Sequence, residues 1–236
     1  MKKQIIFSIV LLIIFLVFSA CDNTIKGSDI LTSFERTVSP FEKINIDDIS
    51  EVRFFVSHEY RVVVTINSNL TEYVKIVSIN NVLDIGMKGG SYSDIKYSID
   101  VYSPVLTSVK IYGFGKFYCN EKIITKLFET NLSGSGEINA NIECDNFSAD
   151  LSGFGNIIIS GNSIESNINI SGSGDFNGKE FHTQNTTIYF NGFGNANIHA
   201  TNNLRVDMSG SGVVNYYGNP AEVNSNISGF GKINKK

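Results

Sequence analysis

The chain has 236 residues, a formal net charge of −4, 21 glycines, three cysteines and no tryptophan. Its 19 lysines and arginines are scattered along the chain rather than gathered into a basic patch, so nucleic acid is not an expected partner. Behind a leader, roughly 200 residues remain, a length suited to one domain with a substantial core.

The first 20 residues read as an export signal of the lipoprotein type. Lys2 and Lys3 form a basic start, Ile5 to Phe18 an apolar stretch, and Phe18-Ser-Ala-Cys21 a small-residue exit. The apolar run is short for a membrane span, and no later segment offers a second one. The cysteine at the exit resembles the bacterial lipoprotein signal, which implies that Cys21 is lipidated and becomes the new N-terminus. An ordinary signal peptide or an uncleaved anchor is the alternative. Residues 21–40 then read as the lipidated Cys21 and a polar, unpatterned tether. That address is the cell envelope, with the outer membrane or surface favoured over the inner membrane.

Residues 41–236 read as a single β-solenoid domain. Within 41–105 the candidate strands are Phe41–Ile46, Val52–Val56, Arg61–Ile66, Val74–Ile79, Val82–Met87 and Ile95–Tyr102. They lack regular punctuation and suit irregular opening coils with a cap over the open end.

From 106 to 236 the chain repeats. Seven motifs begin with Tyr112-Gly-Phe-Gly and end with Ser228-Gly-Phe-Gly, their first glycines falling 21, 19, 19, 20, 18 and 19 residues apart. A fixed period near 20 marks a stack of like units. Two positions before each first glycine stand Ile111, Leu132, Leu151, Ile170, Phe190, Met208 and Ile227; four after it stand Phe117, Ile138, Ile157, Phe176, Ala196, Val214 and Ile233. Polar residues alternate with them, the period of a half-buried strand. Each unit therefore reads as strand, glycine corner, strand and polar turn, with the glycines placed at the corner to accept positive φ. Stacking such units gives an all-β parallel β-helix of about 19–20 residues per coil, with strands of successive coils roughly 4.8 Å apart. A 39-residue coil is the competing register, with about twice the perimeter and an interior hard to fill.

The middle residue of the motif alternates strictly: Phe114, Ser135, Phe154, Ser173, Phe193, Ser211, Phe230. Steric interleaving would produce this if the corner breaks the pleat and each ring folds in over a serine, and the buried corner is the favoured expectation. If the pleat persists, Phe114, Phe154, Phe193 and Phe230 form an exposed row, a possible binding surface with one ring every second coil.

Taken together, the exported cysteine, Phe41-Glu-Lys-Ile-Asn, Val101-Tyr-Ser-Pro104 and the serial Ser-Gly-Ser-Gly corners resemble the bacterial family named putative auto-transporter adhesin, head GIN domain. The resemblance covers roughly residues 36–236. It implies a right-handed β-helix shaped like pectate lyases without their catalytic residues, and an adhesive role.

Residues able to do chemistry are sparse. Glu137, Asn156 and Asp175 fall on three successive coils just after the corner, but the column continues as Asn195, Val213 and Lys232, the pattern of a solvated ladder. His58, His182 and His199 fall at unrelated phases of the repeat. Cys119 and Cys144 are four positions out of step, roughly 13 Å along the strand direction, too far for a disulfide and suited to buried free thiols. Asn139, Asn177, Asn197, Asn215 and Asn234 should stack as an amide ladder that holds register. No metal-ligand spacing, phosphate loop or cofactor motif is recognisable, so no cofactor is expected and the chain does not read as an enzyme. The expected function is a lipid-anchored, non-catalytic adhesion or binding module that presents repeated surfaces to a glycan, other polymer or surface protein. The alternatives are an envelope enzyme acting on polysaccharide and a ligand-free structural or stress accessory protein.

Overall fold

The structure, a computed structural model, describes residues 24–236. The leader and Cys21 lie outside the described residues. With 68% strand and 3% helix, the chain is all-β and winds into a parallel β-solenoid of about seven turns.

The opening strands are β1 (Thr24–Lys26), β2 (Leu31–Thr37), β3 (Lys43–Ile46), β4 (Glu51–Val56) and β5 (Arg61–Asn67). A 3-10 turn over Ser68–Tyr73 leads into β6 (Val74–Ile79), β7 (Val82–Met87), β8 (Ser91–Ser93), β9 (Tyr97–Ser103) and β10 (Ser108–Ile111). The regular coils carry long strands: β11 (Lys116–Leu132), β12 (Glu137–Leu151), β13 (Asn156–Ile170), β14 (Asp175–Phe190) and β15 (Asn195–Met208). The stack ends with β16 (Val213–Tyr217), β17 (Glu222–Ile227) and β18 (Lys232–Lys235).

All six expected strands between 41 and 105 are present, and they divide between coil and cap. β3 and β4 are coil strands, parallel to β10 and β11 respectively. Beyond them the sheet is closed by antiparallel pairs: β9 with β5, β5 with β2, and β7 with β6. Asn80 and Asn81, at φ 51 and 66°, turn the β6–β7 hairpin, as two left-handed residues do in a tight hairpin loop. Antiparallel strands end the repeating ladder and blunt an edge that would otherwise template another strand.

The tether expected over 21–40 is corrected by this cap. Leu31–Thr37 is not loose chain but a strand paired with β5 along its whole length, from Leu31↔Asn67 to Thr37↔Arg61. Phe34 lies against the core, and alternate partly buried positions in a polar strand explain why no periodic apolar signal marks it.

The coil is one repeat long. Leu132 pairs with Leu151, Leu151 with Ile170, Ile170 with Phe190, and Phe190 with Met208. The 39-residue register is therefore excluded. The columns two before and four after the corner line the interior up to the last coil, where Ile227 is 44% exposed and Ile233 partly buried; Ile111, Leu132, Ile138, Ile157, Ile170 and Phe190 are fully buried. Bulky and small residues interdigitate along the axis. Phe147 of β12 meets Phe181 of β14 edge-on with ring centroids 4.9 Å apart. The coil between them offers Ser166 beside Phe147 and Gly161 beside Phe181.

The expected polar turn opposite the glycine corner is a bend within continuous strand. The inward column there is Thr125, Cys144, Ser163, Thr183, small side chains of which the three hydroxyls bond to backbone carbonyls and the Cys144 thiol to Ser163 Oγ. Thr125 Oγ1 donates to Leu127 O (3.2 Å), and Ser163 Oγ is within donor range of both Glu165 O (2.7 Å) and Asp145 O (3.2 Å). These bonds give carbonyls next to the bend a side-chain partner.

Candidate functional site

The glycine corner is held by a column of backbone bonds along the stack. Ser135 N donates to Gly113 O, Phe154 N to Gly134 O, Ser173 N to Gly153 O, Phe193 N to Gly172 O, and Ser211 N to Gly192 O, each at 3.0 Å; Phe230 N to Gly210 O is 3.1 Å. The middle residues thus stand in exact succession along the axis, one per coil.

Why glycine occupies these corners differs from the expectation. None of the corner glycines has a left-handed φ; the two glycines that do are Gly161 and Gly218. The requirement is close approach. A Cβ on Gly153 would sit 1.9 Å from Gly134 O, and one on Gly172 would sit 2.1 Å from Gly153 O. The missing side chain would run along the stack into the backbone of the coil before, where only hydrogen fits.

Because the glycines consume no interior space, the pleat passes through the corner unbroken. Leu151 is buried, Ser152 exposed, Gly153 buried, Phe154 exposed, Gly155 buried, Asn156 exposed and Ile157 buried. The favoured buried corner is thereby corrected. Phe114, Phe154, Phe193 and Phe230 are 66, 76, 73 and 91% exposed. They form an outward row along one edge, with exposed Ser135, Ser173 and Ser211 between them. Interleaving of large and small residues does occur, but in the core at Phe147, Ser166, Gly161 and Phe181.

Two polar features lie outside this row, the first of them beside it. The first is a shallow depression of about 370 Å³ between the Glu137 column and the asparagine ladder, lined by Asn156, Asp175, Asn177, Asn195 and Asn197 among others. Asp175 Oδ1 accepts from Asn195 N at 2.7 Å and from Asn195 Nδ2 at 3.1 Å, which makes it a rung of a ladder. The asparagine ladder itself is bonded from Asn234 to Asn215 (3.2 Å) and from Asn215 to Asn197 (3.0 Å). Ile158 stands between Asn139 and Asn177 in register, so Asn139 is cut off from the rest.

The second is a furrow of about 540 Å³ over the in-strand bend, lined by Glu143, Cys144, Asn162, Ser163, His182 and Thr183 among others. Here the structure joins two residues that the repeat phase kept apart. His182 pairs with His199 in register, with Nδ1 and Nε2 3.3 Å apart and ring centroids at 4.1 Å. The pairing step falls from 20 at Asn177↔Asn197 to 17 at His182↔His199, because β14 carries three extra residues there. His58 is not part of this pair. Cys119 and Cys144 are buried free thiols; burial pushes Cys119 up to about 12 and also raises Cys144, which leaves both protonated and unreactive at neutral pH.

The histidine pair predicts a pH effect. Burial first, then the charge of His182, hold the His199 imidazole below its ordinary value, while the Lys179 carbonyl and Glu180 act the other way. A base with a depressed folded pKa contributes stability above its unfolded pKa, about 6.5, and that contribution is lost as pH falls through the folded value. Acidification from neutrality toward pH 5 should lower the melting temperature more in the parent than in His199→Gln, as read by circular dichroism melts at each pH. Equal slopes would show that the pair does not sense protons.

Residues 40–220 match the family model described as putative auto-transporter adhesin, head GIN domain, and the chain belongs to that family. The solved structures most like it include an adhesin-described protein of Bacteroides fragilis, 18% identical with a TM-score of 0.86, covering 90% of this chain and 100% of that one. Another, from Parabacteroides distasonis and also described as an adhesin, is 26% identical with a TM-score of 0.71, covering 91% and 100%. A third, from the same organism and described as a lipid binding protein, is 24% identical with a TM-score of 0.74, again covering 91% and 100%. No curated protein sequence matches the chain. Among the described residues, no helix is long and apolar enough to cross a membrane. The adhesin-like family fits an envelope or surface protein that binds rather than catalyses.

Proposed function

We propose that this protein is a lipid-anchored, non-catalytic binding module of the cell envelope, whose working surface is the outward row Phe114, Phe154, Phe193 and Phe230. The observation that carries the reading is the exposure of four large rings at a repeated position on a scaffold whose coil strands bury Phe117, Phe128, Phe147, Phe176, Phe181 and Phe190. Exposed aromatic rows at a fixed step are costly for solubility unless a partner covers them, and a repeated row gives several weak contacts the benefit of avidity. The purified domain should be retained on a panel of glycans and surface proteins; failure to bind any polymer or protein would favour a ligand-free spacer.

Anchoring through Cys21 would hold that row at the cell envelope, with the outer membrane or surface favoured over the inner membrane. A lipidated cysteine bearing two or three acyl chains gains about 0.8 kcal/mol per buried methylene, enough for stable attachment. Cys21→Ala should move the protein from the membrane fraction to the soluble fraction or leave its precursor uncleaved. Finding the parent protein wholly soluble would remove the anchor from this account.

A further inference from the structure

We infer that the phenylalanine row takes an uncharged, ribbon-like polysaccharide lying along the stack axis, an equatorially linked hexose polymer of the cellulose or chitin type; this inference rests on the reading of the row as the binding surface. Three features of the edge point to that class of ligand.

The first is the step. Rings occur on every second coil, roughly 9.6 Å apart at the ordinary spacing of paired strands. In a ribbon of equatorially linked hexoses each sugar is turned over relative to the last. The same face therefore returns every second unit, at a step close to that of the rings. Phe114 to Phe230 spans six coil steps, or roughly 29 Å, the reach of about six sugars.

The second is the alternation itself. A hexose presents a C–H face and a rim of hydroxyls. Phe154 and Phe193, 76 and 73% exposed, offer flat apolar faces for the former. Ser173, on the coil between them, offers an exposed hydroxyl for the latter. Strict Phe/Ser alternation on one exposed edge suits a ligand whose every unit offers both an apolar face to stack on and rim hydroxyls to hydrogen-bond.

The third is charge. The row and the exposed column preceding the corner glycines, Tyr112 through Ser228, hold no group charged at neutral pH. The neighbouring column after the corner mixes Lys116 and Lys232 with Glu137 and Asp175, so it supplies no field of one sign. A phospholipid surface or an acidic polysaccharide would draw on clustered lysine or arginine, which this edge lacks. A neutral glycan needs none.

Calorimetry on the whole mature domain, with cello- and chito-oligosaccharides of two to six units, tests the inference. Polygalacturonate and phosphatidylcholine vesicles are the comparison ligands. The expected result is affinity that climbs at least about tenfold from two to six units as more rings are engaged. It should fall about tenfold in Phe154→Ala and be retained in Phe154→Tyr, with little binding to the acidic polymer or the vesicles. If no neutral ribbon binds but Phe154→Ala and Phe193→Ala weaken attachment to vesicles or to a protein, the glycan inference is overturned and the binding row stands. If a neutral ribbon binds equally well to the ring variants, both the inference and the row are wrong.

Discussion

Gly153→Ala should destabilise the domain by about 3 kcal/mol or more, and Gly172→Ala by a similar amount, nearly as much as the corresponding valine variants. The offending atom is Cβ itself, which would stand 1.9 Å from Gly134 O in the first case and 2.1 Å from Gly153 O in the second. Both contacts are with backbone, so no rotamer change relieves them, and overpacking of this kind typically costs about 1–3 kcal/mol and sometimes more. The coils would have to separate, which strains Phe154 N→Gly134 O and Gly153 N→Leu132 O, at 3.0 and 3.2 Å. Asparagine, which tolerates left-handed backbone, should not rescue either site. Gly89 is the control, since a Cβ there meets nothing within 4 Å, and Gly89→Ala should melt within a degree or two of the parent, roughly ±0.5 kcal/mol. If Gly153→Asn melted normally while alanine did not, backbone conformation rather than close approach would be the cause.

The second large effect separates the two populations of phenylalanine. Phe147→Ala should cost about 3–5 kcal/mol. Its ring is 2% exposed and meets both Phe181, at 4.9 Å, and Phe176, at 6.3 Å between centroids. Truncation leaves a cavity that Ser166 in the next coil is too small to fill. Phe154→Ala should change stability by no more than about 0.5 kcal/mol, as exposed sites generally do. Chemical denaturation of the two variants side by side reads the difference. Equal losses would mean that the corner ring belongs to the core.

Much of this architecture was legible because a solenoid repeats its errors and its signals alike. Any one of Leu132, Leu151 or Ile170 is weak evidence for a strand, but the same apolar class at one phase of seven units specifies the interior. Direction at the corner was harder. Phe/Ser alternation fits both interleaved burial and an exposed row, and the choice turns on whether the pleat survives the glycines. It does, because the glycines accommodate the neighbouring coil rather than a reversed φ, a difference that residue type alone does not express. The His182–His199 pair was hidden by the three extra residues of β14, which shift phase without changing the glycine spacing by more than one or two. Thr125 and Thr183 likewise fall out of step with Cys144 and Ser163 relative to their corners, so the full hydroxyl and thiol column at the bend emerges only from strand pairing. Leu31–Thr37 carries polar residues on both faces and joins the cap through backbone bonds that leave no apolar pattern.

The central claim is that a rigid stack carries an outward row of rings whose purpose is binding. Retention of the Phe154→Ala/Phe193→Ala double variant on an immobilised panel of glycans and surface proteins, with its melting curve recorded in parallel, tests that claim most directly. The account predicts a melting temperature close to the parent's and loss of at least nine-tenths of the retained protein, a tenfold effect of the size expected when multivalent contacts are removed. A normal melt with undiminished retention would show that the partner is held elsewhere, and a collapsed melt would show that the rings serve the fold.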